Sequence, residues 1–155
     1  MSVSRSIIGQ FEASIKMSRV LIVEDNVDNY ELVRFLLGRA GYETRWAHNG
    51  GEGILMANAE KPDLILMDLS MPETDGWTAT KSLKSDPETK HIPIVALTAH
   101  ILPGDRKRAL QAGCDGYLSK PMNIALFVET VANLIAKADT KSKHRPKIKP
   151  QGDRA

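Results

Sequence analysis

Five short apolar runs recur along the chain, with helically spaced apolar positions between them. Val20-Leu21-Ile22-Val23, Leu64-Ile65-Leu66-Met67 and Ile94-Val95-Ala96-Leu97 are continuous, without alternation. Such runs read as strands buried on both faces of a parallel sheet. Tyr42 to Ala47 mixes apolar with polar residues and reads as a strand nearer an edge. Gly116-Tyr117-Leu118 is a short fifth strand. Pro93 opens the fourth run, a position where a strand tolerates proline.

The intervening segments predict helices. In the first, Leu32, Phe35, Leu36 and Ala40 line one apolar face, and Gly41 suits the end of the helix. The second spans about Gly51 to Glu60 and stops before Pro62. The third covers about Gly76 to Lys84 and ends at the turn signal Ser85-Asp86-Pro87. The fourth runs from about Pro103 to Ala112, with Pro103 in the first turn and Gly113 as the stop. In the last, Ile124, Phe127, Val128, Val131, Leu134, Ile135 and Ala138 repeat at i, i+3, i+4, i+7, and Asn123 is placed to cap. Strict β/α alternation calls for right-handed crossovers and a parallel sheet covered on both sides.

Composition refines this picture at the ends. Lys137 to Ala155 hold seven Lys or Arg against two Asp, so this segment carries +5 while residues 1–136 carry −3, for a total of +2. Residues 139–155, almost without apolar side chains, are expected to be a disordered basic tail, and residues 1–17 a leader or linker outside the core. The folded domain is expected over residues 18–138. Cys114 is the single cysteine, which excludes an internal disulfide and agrees with a reducing cytoplasm. No apolar stretch approaches the ~20 residues of a membrane span.

The chemistry sits just past the strands. Val23 is followed by Glu24-Asp25, Met67 by Asp68, Leu97 by Thr98, and Leu118 by Ser119-Lys120. Each has an ordinary explanation alone. Asp68 can be a turn former, Glu24 and Asp25 can favour a helix start, Thr98 can end a strand, and Lys120 can be a solvated lysine. In a parallel sheet, however, the four exits share one edge, where open α/β sheets keep their ligands. Three clustered acids repel and call for a cation; a hard divalent ion with oxygen ligands answers this, and Lys120 supplies a further positive charge. The set reads as a phosphoryl-acceptor site. Asp68 would be the nucleophile, Mg²⁺ would be held by Glu24, Asp25 and Asp68, Lys120 would be the second counter-charge, and Thr98 a donor to a phosphoryl oxygen.

With these motifs in order, the chain resembles the receiver domain of bacterial two-component response regulators, the CheY-like family, and in detail single-domain regulators of the DivK type. The resemblance rests on Val20 to Asn26, Pro62 to Asp68, Met71-Pro72 with Asp75-Gly76, Pro93 to Ala99, and Ala112 to Pro121. It implies an α/β, flavodoxin-like (βα)5 fold with a doubly wound five-stranded sheet of order 2-1-3-4-5. It also implies Asp68 as phosphoacceptor, Glu24 and Asp25 as the acidic metal pair, and Ser70 as a metal ligand through its backbone carbonyl. Thr98 and Lys120 would sense the phosphoryl group, and Tyr117 would be a rotating switch aromatic. Mg²⁺ is the implied cofactor, with Mn²⁺ able to replace it. The Lys120-Pro121 bond is usually cis in the family. Glu24 stands where many members carry Asp, and His100 occupies a position that, with Ser70, tunes dephosphorylation.

The implied partners are a sensor histidine kinase or histidine phosphotransfer protein upstream. Downstream stands a protein effector on the surface of the fourth helix, fifth strand and fifth helix. The receiver phosphorylates and dephosphorylates itself rather than turning over a substrate, and is expected to be cytoplasmic, as a monomer or a phosphorylation-dependent dimer. Other classes fit less well. A haloacid-dehalogenase-like phosphatase needs a second Asp two residues past the nucleophile, where this chain has Ser70. No Gly-x-Gly-x-x-Gly or Walker loop follows a strand. Nucleic-acid binding would rest on the basic tail alone, which also reads as a solubilising segment.

Overall fold

The computed structural model describes residues 17–71, 75–99, 103–120 and 123–143. The leader up to residue 16, Pro72, His100, Pro121 with its peptide bond, and the tail beyond residue 143 lie outside the described residues. The elements are β1 (Arg19–Val23), α1 (Val27–Arg39), β2 (Glu43–Ala47), α2 (Gly50–Glu60), β3 (Leu64–Asp68), α3 (Asp75–Ser85), β4 (Ile94–Thr98), α4 (Asp105–Ala112), β5 (Gly116–Ser119) and α5 (Ile124–Lys143). All strand pairs are parallel, in the order β2-β1-β3-β4-β5. This is the doubly wound order that the motifs imply.

The continuous apolar runs are buried on both faces because successive strand residues point to opposite sides. Leu21, Val23, Ile65, Met67, Ile94 and Ala96 pack with Ala57 of α2, Ala79 and Leu83 of α3, and Ala109 of α4. Val20, Ile22, Leu64, Leu66, Val95 and Leu97 pack with Val33, Leu36 and Leu37 of α1 and Phe127, Val131 and Ile135 of α5. Every residue of β3 and β4 is buried.

Three helices begin at the carboxyl edge of the sheet with asparagine caps. Asn26 Oδ1 accepts from Asn29 N at 3.0 Å, Asn49 Oδ1 from Glu52 N at 2.8 Å, and Asn123 Oδ1 from Leu126 N at 3.0 Å. Each satisfies a donor that the first helical turn leaves unpaired.

The structure corrects three expectations. The buried face of α1 is Val33, Leu36 and Leu37, while Leu32 and Phe35 are 51% and 59% exposed. Both triplets have i, i+3, i+4 spacing one residue apart, and packing against the sheet selects the second. α4 begins at Asp105 rather than near Pro103, because Gly104 takes a left-handed φ of 91° that helical backbone does not allow. α5 continues to Lys143, five residues past the expected boundary at residue 138. Its apolar stripe ends by Ala138, but a helix with no Pro or Gly to stop it propagates cheaply.

Candidate functional site

Sheet register brings the acids together. Val23 pairs with Met67, so the next residues, Glu24 and Asp68, leave adjacent strands side by side. Thr98 pairs with Ser119, and the Lys120 N–H donates to the Thr98 carbonyl at 2.8 Å. Carboxylate oxygens of Glu24, Asp25 and Asp68 all lie within 4.8 Å of one another. Glu24 and Asp68 are almost fully buried, Asp25 is exposed, and Thr98 is buried at the end of β4. The strand-end residues singled out from the sequence therefore meet in one cleft.

The Lys120 ammonium stands 3.0 Å from Glu24 Oε2 and 3.4 Å from Asp68 Oδ2. One partly buried cation thus faces two buried carboxylates, with a third, exposed acid beside them. Burial pushes the Glu24 carboxyl up from its ordinary 4.5 to about 7; a hydrogen bond to Asp68 and that residue's charge add to the rise, and Lys120 opposes it. The donor set is three hard carboxylates with an excess of negative charge, which fits a small divalent cation such as Mg²⁺.

The second oxygens of these acids are also held. Glu24 Oε1 accepts from Asn26 N at 3.1 Å and Asn29 Nδ2 at 3.4 Å. Asp68 Oδ1 accepts from Ser70 N at 2.7 Å, and Ser70 Oγ accepts from Ala99 N at 2.9 Å. Behind the cleft, Gly76 packs so closely on β3 that a Cβ there would run into the Asp68 carbonyl oxygen. Asp75 accepts from the Gly50 N–H through Oδ2, tying the start of α3 to the start of α2.

Tyr117, on β5 opposite Ala96, is half-buried and packs against the α2–α4 side of the core. Its hydroxyl oxygen is buried and has no hydrogen-bond partner among the described residues. Burial raises its pKa, helped by the Asp105 carboxylate.

Three contacts were not foreseen from the sequence: the Ser70 hydroxyl on Ala99, the Asn29 amide on Glu24, and the Trp46 indole on the Glu24 carbonyl. Each depends on loop or cross-strand geometry. Only Asp75-Gly76 had a signal in the chain, as part of the motif after the third strand.

Comparison with known proteins agrees with this geometry. The profile of the response regulator receiver domain matches residues 20–132. The polar-differentiation response regulator DivK of Brucella anthropi is 45% identical over 119 residues, covering 77% of this chain and 97% of that protein. Among solved structures, the receiver domain of a Pseudomonas aeruginosa sensor histidine kinase, with a magnesium ion coordinated in its active site cleft, is 34% identical. It has a TM-score of 0.72 and covers 78% of this chain and 99% of that one. The chemotaxis protein CheY4 of Vibrio cholerae is 29% identical with a TM-score of 0.71, covering 77% and 99%.

Proposed function

The chain belongs to the response regulator receiver domain family, and on that premise we propose that it accepts a phosphoryl group on Asp68 from a phosphohistidine. The observation that carries the reading is the meeting of Glu24, Asp25 and Asp68 oxygens within 4.8 Å, with Lys120 Nζ 3.4 Å from Asp68. An Asp68 oxygen attacks phosphorus as the bond from phosphorus to the imidazole nitrogen breaks; the electron pair of that bond stays on the ring, whose other nitrogen already carries a proton, so the donor histidine leaves as neutral imidazole. Mg²⁺, or Mn²⁺ in its place, held by Glu24, Asp25, Asp68 and the Ser70 carbonyl, supplies charge neutralisation between carboxylate and donor. Lys120 supplies the second positive charge, and the Thr98 hydroxyl donates to a phosphoryl oxygen once it arrives.

The donor is a sensor histidine kinase or a histidine phosphotransfer protein in the cytoplasm. Val27 and Ile124, each 56% exposed, open α1 and α5 beside the cleft and offer apolar contact for it. The signal leaves through the α4-β5-α5 face. Tyr117 is suited to a switch because its buried hydroxyl has no hydrogen-bond partner among the described residues, so a second position of the ring that gives it one competes with this one. The added charge then shifts an existing equilibrium between the two arrangements.

Phosphotransfer profiling against a panel of histidine kinases tests this, with the wild type beside Asp68→Asn in Mg²⁺. An acid-labile label that disappears in the variant is expected. An acid-stable label, or labelling that survives Asp68→Asn, would sink the reading.

A further inference from the structure

Trp46 lies on the edge strand β2, outside the acidic cluster, yet its indole N–H donates to the backbone carbonyl of Glu24 at 2.8 Å. The ring is held in place. It stacks on Tyr30 of α1 with centroids 4.0 Å apart and planes 7° from parallel, and lies 4.1 Å from the His48 ring just past β2. Such stacked pairs add to the area they bury and orient the rings. Residues from one helix, one strand and one loop therefore hold a single N–H against a single carbonyl.

That carbonyl belongs to the peptide unit joining Glu24 to Asp25, and a peptide unit is planar. Holding the plane restricts the torsions on either side of it, ψ of Glu24 and φ of Asp25, and so the course of the chain from which both carboxylates depart. The β1–β2 register ends with Val23 opposite Ala47, the Glu24 N–H still on the Ala47 carbonyl at 3.0 Å. Past that point the indole takes the role that a backbone donor would have in a longer ladder. The Glu24 main chain is thus held by β2 at both its N–H and its carbonyl, while its carboxylate meets Lys120 and Asp68.

We propose that Trp46 is a positioning residue for the Glu24–Asp25 pair, fixing their peptide plane so that both carboxylates face Asp68 at the spacing a divalent cation needs. The inference rests on reading these three acids as Mg²⁺ ligands. Groups that orient metal ligands from behind govern affinity because a set held in place loses less freedom on binding. A purely structural role, closing the edge of the sheet, would alter unfolding and leave Mg²⁺ binding to the folded protein unchanged.

Calorimetric titration of Mg²⁺ into the full chain separates the two roles. Trp46→Phe keeps an aromatic ring against Tyr30 and His48 and removes the N–H. Its Mg²⁺ affinity is expected to fall about tenfold, while phosphotransfer at saturating Mg²⁺ stays near wild type, so the half-saturating concentration moves and the ceiling does not. Trp77→Phe, at the other of the two tryptophans, should bind Mg²⁺ like wild type and leave Trp46 as the sole tryptophan, its fluorescence, excited selectively over tyrosine, changing as Mg²⁺ is added. Mg²⁺ affinity indistinguishable from wild type in folded Trp46→Phe overturns the inference. Should Trp46→Phe not fold, Tyr30→Leu replaces it; weaker Mg²⁺ binding is again expected, and unchanged binding again overturns the proposal. A wild-type chain that takes up no Mg²⁺ would instead remove the metal reading itself.

Discussion

The Ser70 hydroxyl oxygen accepts a hydrogen bond from the Ala99 amide at 2.9 Å, tying the loop after β3 to the loop after β4. Ser70 also donates its own N–H to Asp68, and Ala99 follows Thr98. The Asp68 carboxylate and the Thr98 loop are therefore joined through one serine. Removing the hydroxyl in Ser70→Ala should cost about 0.5–1.5 kcal/mol, the usual worth of such a bond. Hydrogen exchange at the Ala99 amide should rise while exchange within β3 stays slow. Unchanged protection at Ala99 would show that the bond does not hold the loop.

Glu24 makes the metal-free protein sensitive to pH. Its folded pKa of about 7 lies above its ordinary 4.5, so the protonated form is favoured by folding. The associated stability is present in full below about 4.5 and is lost as pH rises through about 7. Urea unfolding in EDTA should therefore give a higher midpoint at pH 5.5 than at pH 8, from this group. Glu24→Gln, which cannot ionise, should flatten that slope, and its persistence in the variant would assign the effect elsewhere.

The two apolar stripes of α1 should separate cleanly by stability. Leu37→Ala empties a fully buried position and should cost about 2–5 kcal/mol. Leu32→Ala and Phe35→Ala, at half-exposed positions, should stay within about 0.5 kcal/mol of wild type. Equilibrium denaturation of the three variants reads this directly, and comparable losses would move the buried face back to Leu32 and Phe35.

Cys114 is buried in the core between α4 and β5, and burial pushes its thiol up from 9 to about 11. At pH 8 it should resist aromatic disulfide reagents in the native state and react fully in urea. Rapid labelling of the folded chain at that pH would contradict the packing around it.

Much of the site was legible in the chain because a parallel sheet turns sequence position into spatial position. An acid that ends an apolar strand must emerge at the carboxyl edge, so Glu24, Asp25, Asp68, Thr98 and Lys120 could be brought together from the pattern alone. Helix stops were legible where a residue leaves little choice, as at Gly113 with its φ of 106°. Pro103 misled for a related reason, since Gly104 delays the helix by two residues.

What the sequence determined by itself was the order of elements, the family and the residues at the sheet edge, because apolar periodicity and strand-end chemistry are local. Tertiary structure alone decided which of two equally spaced stripes on α1 is buried, because that is a choice of helix rotation made by packing into the core shared with the sheet and α5. It also decided that Trp46, on an edge strand, reaches back to the Glu24 carbonyl, and that Lys120 stands closer to Glu24 than to Asp68. Those contacts join residues 22 and 96 positions apart, and no local pattern encodes the angle at which such side chains meet.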